Sequence, residues 1–186
     1  MHKAAEHGAE CGPTCCSAGN AMRAKAALRV EPVSAETARF VRAELLRHWL
    51  STTIYSRGVR FEADGLPCLV AVEGGEEAGH LTYCVAGGEM EVITLAAVVP
   101  GSGAGSALMD RALDVARTHG CRRLFLTTTN DNLEALRFYQ RRGMRIARVH
   151  CGMMDRYRAA GEPVPLIGKN GIPIRDEIEL DISLER

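Results

Sequence analysis

Three stretches of this chain carry residue types that can do chemistry. The first is VVPGSGAGSALM, Val98 to Met109, where a strand gives way to a helix and three glycines alternate with small residues. Backbone amides of Ser102, Gly103, Ala104, Gly105 and Ser106 can converge there on an anion, with the positive end of the helix dipole behind them. Glycine matters because a side chain would hold a phosphate away. The second is NDNLEALRFY, Asn130 to Tyr139, closing at Gly143-Met144, which supplies a side-chain amide in Asn132 and a phenol in Tyr139. The third is Glu91, a carboxylate on a strand. Facing an apolar slot, its pKa would rise toward the range a general base needs; on the other face it would simply meet solvent. Glu89 and Asp131 stand in reserve.

A glycine loop alone is weak evidence, and two nucleotide-binding patterns are excluded on the residues. A P-loop requires Gly-Lys-Ser/Thr, whereas the helix here begins Gly105-Ser106-Ala107. A dinucleotide fingerprint follows the first strand of a parallel sheet, and this loop follows an antiparallel meander.

The elements that must position these groups follow from periodicity. Leu28, Val30 and Val33 predict a short strand, and Ser34 a cap for a helix in which Ala38, Val41, Leu45 and Trp49 recur. Cys68–Val72, His80–Ala86 and Glu91–Val99 predict strands joined at Gly74-Gly75 and Gly87-Gly88. Leu108, Ala112, Val115 and Ala116 line one face of the next helix, which Gly120 stops. The strand Arg123–Thr128 comes next, and the crossover makes it a parallel neighbour of Glu91–Val99. Asp131 with Glu134 predicts a capping box for a helix through Leu136 and Tyr139, ended by Gly143 and followed by the strand Met144–His150. Last, Ile178, Leu180, Ile182 and Leu184 alternate with Glu177, Glu179, Asp181 and Ser183, predicting one buried and one wet face, and a strand able to pair across a homodimer.

Composition bounds the rest. The chain has 186 residues, 46% of them hydrophobic, with Lys+Arg and Asp+Glu both at 23. One core is expected, and a nucleic-acid coat is not. The longest apolar run, Val92–Val99, is about eight residues where a membrane helix needs roughly 20. Nothing at the amino terminus reads as a signal peptide, so the expected location is the cytoplasm. Residues 1–27 read as a flexible extension whose His2, His7, Cys11, Cys15 and Cys16 match no standard zinc spacing, so no metal is expected. Residues 28–186 read as one domain. Cys68, Cys84, Cys121 and Cys151, each alone in apolar surroundings, read as free thiols, and Cys151 with Met153-Met154 as core filling.

The two motifs together resemble the GCN5-related N-acetyltransferase (GNAT) superfamily. Its acetyl-CoA loop looks like Gly103-Ala104-Gly105-Ser106-Ala107-Leu108, and its second signature, N-x-x-A-x-x-x-Y-x-x-x-G-[FM], matches Asn132, Ala135, Tyr139, Gly143 and Met144. The likeness covers roughly Leu28 to His150 in element order and extends, through Gly171–Leu180, to a bacterial subset. It departs at Pro100, where family members commonly carry Arg or Gln. The resemblance implies an α/β (α+β) fold: a central mixed, mostly antiparallel sheet with one splayed parallel strand pair, flanked by helices. It implies acetyl-CoA as co-substrate, with the pantetheine arm paired along Ala97, Val98 and Val99, the diphosphate on the amides of Ser102–Ser106, Asn132 on the arm and Tyr139 at the thioester sulfur. A backbone amide near Ala97 would meet the oxyanion, and Glu91 takes the role of base that a glutamate in this strand has in some members.

The activity so implied is acetyl transfer to a primary amine of a small molecule or peptide, by direct attack in a ternary complex. The alternatives are a non-catalytic CoA-binding regulatory module and a transferase of longer acyl groups. The acceptor site is expected among Leu50–Pro67, His80, Tyr83 and Tyr157–Asn170, with His80 and Tyr83 reading more readily as sheet residues than as ligands. Mixed charges at Arg57, Arg60, Glu62 and Asp64 choose no acceptor.

Overall fold

The structure, a computed structural model, describes residues 27–185. The predicted extension, with its histidines and three cysteines, therefore lies outside the described residues except at its last position. The elements run β1 (Leu28–Pro32), α1 (Ala38–Trp49), β2 (Thr53–Ser56), β3 (Val59–Glu62), β4 (Cys68–Glu73), β5 (Glu76–Ala86), β6 (Glu89–Ala97), α2 (Ala104–Thr118), β7 (Arg123–Thr129), α3 (Leu133–Arg141), β8 (Arg145–His150), α4 (Met153–Ala159) and β9 (Glu177–Ser183). Seven strands form a sheet in the order β1-β4-β5-β6-β7-β9-β8, and β2 pairs with β3 alone. Within the large sheet β6 and β7 are parallel and every other neighbouring pair is antiparallel. This is the mixed sheet that the resemblance implied.

Both faces of the sheet are covered. Leu108, Met109, Ala112 and Ala116 of α2 and Tyr139 of α3 pack on Leu81, Met90, Leu124 and Leu180, while Val41 and Leu45 of α1 pack on Cys68, Val70 and Val72 behind it. The small alanines let α2 approach the strands closely. Val115, expected on the same face, is only partly buried.

One irregularity positions everything that follows. Between β5 and β6 the register jumps from Thr82↔Thr94 to Tyr83↔Val92, leaving Ile93 as an extra residue. A bulge of this kind bends its strand. On the other side of β6, pairing with β7 runs from Glu89↔Arg123 to Val92↔Leu126 and stops there, although the strands continue to Ala97 and Thr129. The two strands splay from the bulge onward.

Several expectations are corrected. Asn132, not Asp131, caps α3, its Oδ1 accepting from the Ala135 amide. α1 starts after Thr37; Ser34 exchanges hydrogen bonds with Thr37 in the turn before it. The segment read as the loop Leu50–Pro67 contains the β2–β3 hairpin, and α4 follows β8 where only core filling was expected. Cys151 is exposed and Cys84 half-buried, although all four described cysteines are free. β9 lies between β7 and β8, so its edges are used inside the chain rather than offered to a second copy. Its acidic face is not wet, because Glu177 is buried under the Arg57 amide and the Tyr157 hydroxyl, and Glu179 is buried against Arg123 and His150. Among the described residues no helix is long and apolar enough to cross a membrane.

Leu108 is fully buried under the sheet. Leu108→Ala should cost about 3 kcal/mol of stability in denaturant unfolding, whereas Leu46→Ala on the exposed side of α1 should cost less than about 0.5 kcal/mol beyond helix propensity.

Candidate active site

A cleft of about 410 Å³ opens where β6 and β7 diverge. Its strand walls are Val92–Leu95 and Leu126–Thr129, and α3 contributes Asn132, Ala135 and Tyr139. The far side is built from Trp49, Tyr55, Tyr157, Glu162 and Glu177.

The glycine loop sits at the end of β6. Gly103 caps α2 with φ +99°, a left-handed conformation that side-chain-bearing residues rarely adopt, and open space surrounds its missing Cβ. The Ser102 amide donates to Val99 O at 3.3 Å and the Ala104 amide to Ser102 Oγ at 3.3 Å, so these two of the five expected donors are engaged within the loop. Gly105 and Ser106 stand in the first turn of the helix, where no intrahelical acceptor precedes them. That turn carries no acidic residue. A backbone nest at the positive end of a helix of 15 residues, with no carboxylate to oppose it, fits a diphosphate.

The free edge of β6 fits an extended arm. The Val98 amide donates to Ala78 O at 2.9 Å, so Val98 spends its donor on β5 and is corrected as an arm-binding position. By strand alternation Ala97 and Val99 point their backbone groups toward the unpaired side. On the opposite wall the Oδ1 of Asn132 is held by its cap, which leaves Nδ2 as the group to meet a ligand. Tyr139 is 9% exposed and packs edge-on to Phe138. Its hydroxyl hydrogen-bonds to no other described residue, and burial pushes its pKa up from the ordinary phenol value. Tyr139 keeps its proton throughout the physiological range.

The predicted carboxylates are elsewhere. Glu91 is buried at 5% exposure and does not line the cleft; Ser56 Oγ donates to its Oε1 at 2.6 Å and Arg57 Nη2 to its Oε2 at 2.6 Å. Ser56 also shares a hydrogen bond with the Thr127 hydroxyl at 2.9 Å. Glu89 is paired with Arg122 and Arg123, whose hydrogen bonds hold its carboxyl below the usual value. Asp131 accepts from the Lys169 amide at 2.9 Å. His80 lies behind α1 against Phe40 and Trp49, fully buried, with neither ring nitrogen hydrogen-bonded; burial lowers its pKa to about 4, so it is neutral. Tyr83 packs on the α2 side. Neither residue reaches the cleft.

Two carboxylates do reach it, Glu162 after α4 and Glu177 at the start of β9. The second is held by main chain and phenol. Its Oε2 accepts from the Arg57 amide at 2.9 Å and its Oε1 from the Tyr157 hydroxyl at 3.2 Å. The Gly58 amide in turn donates to Tyr157 Oη at 2.9 Å. Burial raises the Glu177 pKa above the ordinary carboxyl value, against those hydrogen bonds. Sequence reasoning placed Glu177 on a wet face, since alternation separates two faces without saying what covers each. The β2–β3 turn that covers this one, Arg57-Gly58 with φ of 52° and 81°, lacks the Asn-Gly or Asp-Gly signal of such turns.

The profile of the Acetyltransferase (GNAT) family matches residues 31–144. The chain belongs to this family. It is also 36% identical over 133 residues to the uncharacterized protein YdhI of Bacillus subtilis, covering 71% of this chain and 83% of that protein. Among solved structures the GNAT chain is similar to an IAA acetyltransferase from Bacillus cereus, with TM-score 0.66 and 23% identity over 85% of this chain and all of that one. It is likewise similar to a Bacillus subtilis acetyltransferase in complex with CoA, with TM-score 0.64 and 20% identity over 86% of this chain and 100% of the other. These structural likenesses are of fold.

Two outcomes test the geometry. Gly103→Val, strained by its backbone angle with no neighbour to clash, should weaken CoA binding in calorimetry by about ten-fold or more while the far-ultraviolet circular dichroism stays unchanged. Arg57→Ala removes the partner of buried Glu91 and should destabilise the protein by roughly 3 kcal/mol in denaturant unfolding, against under about 1 kcal/mol for Arg60→Ala in an exposed pair.

Proposed function

We propose that this GNAT family member is an acetyl-CoA-dependent N-acetyltransferase that passes the acetyl group to a primary amine in one ternary complex. What carries the reading is the meeting, at one splayed strand pair, of a diphosphate nest, a free strand edge and a buried phenol. Acetyl-CoA supplies an activated thioester carbonyl. Around it, the amides of Gly103, Gly105 and Ser106 would hold the diphosphate, the open side of Ala97 and Val99 would pair the pantetheine arm as an added strand, and the Asn132 amide would fix that arm from the opposite wall. A backbone amide of β6 near Ala97 would stabilise negative charge developing on the carbonyl oxygen.

The amine nitrogen forms a bond to the carbonyl carbon, the carbon–sulfur bond breaks, and the electron pair leaves with sulfur. A free thiol has a pKa near 8.5 and a phenol near 10. Burial raises Tyr139, and the same apolar walls raise the thiol, so the two remain close enough for a phenol to protonate the departing sulfur. The proton that the nitrogen loses on forming the amide restores the phenol.

Tyr139→Phe deletes only the hydroxyl. In a thiol-release assay across a panel of primary amines, kcat should fall about 100-fold while CoA affinity stays within about two-fold. A variant equal to wild type would remove the acid role from Tyr139. CoA binding without acetylation of any amine would favour the regulatory-module reading instead.

A further inference from the structure

Among the described residues, the charged ones lining the cleft are Glu162 and Glu177, with no Lys, Arg or His. Nearby Arg57 is committed, its guanidinium bound to Glu91 and laid over the Phe125 ring at 4.6 Å. The remaining acceptor-side walls include the rings of Trp49, Tyr55 and Tyr157, the two tyrosines tilted at 5.4 Å between centroids. Aromatic faces and carboxylates attract a cation and offer nothing to an anion.

We infer that Glu177 receives the acceptor's ammonium group and takes its proton, and that the acceptors are cationic amines bearing no carboxylate. The inference deepens the acetyltransferase reading and rests on it. Each Glu177 oxygen accepts one hydrogen bond, from the Arg57 amide or the Tyr157 hydroxyl, which fixes the carboxylate while leaving lone pairs for a ligand. Glu162 lines the same space and, with Arg60, bears on the Tyr55 hydroxyl, which the carboxylate holds to its protonated form. A carboxylate on the substrate would meet both glutamates, while the nearby arginines, Arg57 and Arg60, are already paired with Glu91 and Glu62, a repulsive element that selects against amino acids.

The proton balance is simple. An ammonium N–H bond breaks with its electron pair left on nitrogen, the proton passes to a Glu177 oxygen, and the neutral amine is then free to attack; Glu177 afterwards releases that proton to water. A free alkyl ammonium, near pKa 10.4, holds its proton too tightly for an ordinary carboxylate. The cleft narrows the gap from both sides: burial lowers the amine and raises Glu177. The groups that bear on Glu177 are the Arg57 amide and Tyr157 hydroxyl, which favour its ionised form, His150, which does the same when charged, and Glu91, which opposes it. Glu177 acts as base only when ionised, so activity is lost as pH falls through a value above that of an ordinary carboxyl.

The test uses the full chain, acetyl-CoA, and two pairs of amines that differ by one carboxylate: 1,5-diaminopentane against lysine and tyramine against tyrosine. Wild type should prefer the decarboxylated member of each pair by about ten-fold or more in kcat/KM. Glu177→Gln should lower kcat for 1,5-diaminopentane about 100-fold, raise its KM, and abolish the acid limb of the kcat/KM profile, with acetyl-CoA affinity unchanged. Lysine and tyrosine accepted as well as their partners would overturn the substrate class, a result that needs no variant. A folded Glu177→Gln enzyme with wild-type kcat/KM and pH profile would overturn the proton role. If wild type acetylates no amine, the acetyltransferase reading fails and the proton role with it; calorimetry with 1,5-diaminopentane and lysine then decides the cation preference alone, equal binding ending it.

Discussion

The parallel pairing of β6 with β7 ends at Val92↔Leu126, and the chemistry of this molecule depends on that ending. Backbone donors and acceptors beyond that point on the two strands cannot satisfy one another, and a buried backbone group without a partner is costly. The gap is thus an invitation to an extended, hydrogen-bonding ligand. The bulge at Ile93 bends β6 away from β7, and continued pairing with β5 through Ala97 keeps the bent strand firmly in the sheet. The nest at the end of β6 and the phenol on the helix after β7 inherit their positions from this one divergence.

The opposite wall is held by charge rather than by apolar packing. Arg57 and Arg123 stack on the same Phe125 ring, at 4.6 and 4.3 Å, and from there reach Glu91 on β6 and Glu89, Glu179 and Asp181 on β6 and β9. Removing either arginine would leave a carboxylate inside the protein without its counter-ion, which costs more than the pair itself contributes. The result is a tip of the β2–β3 hairpin pinned from two sides: through its Arg57 side chain to β6 and through its Arg57 main chain to β9. Glu91 serves here as an anchor, whereas Glu177, equally buried, lines the cleft.

What was legible in the sequence was what rests on local backbone demands. Gly103 must be glycine because of its own φ; Asn132, Ala135 and Tyr139 share one short helix; Gly74-Gly75 and Gly87-Gly88 turn adjacent strands. The far wall of the cleft was not legible because its members meet only in three dimensions, with Arg57 touching Glu177 across 120 positions of chain. Strict alternation in β9 was read correctly as a strand and incorrectly as half wet. Arg123, His150 and Tyr157, which bury its glutamates, belong to other elements. Glu91 failed as a slot residue for a related reason: period two assigns a side to a side chain, and only the hairpin above that side decides whether it meets water, ligand or arginine.

The place of β9 between β7 and β8 has a consequence for how the chain is made. β8 leaves the ribosome before β9 yet touches the sheet through β9, so a nascent chain ending after β8 has no sheet edge in its final arrangement to dock on. Non-local pairing of this sort closes late. Until β9 threads into place, the Arg123 side of β7 stays uncovered and the cleft lacks the Glu177 part of its wall.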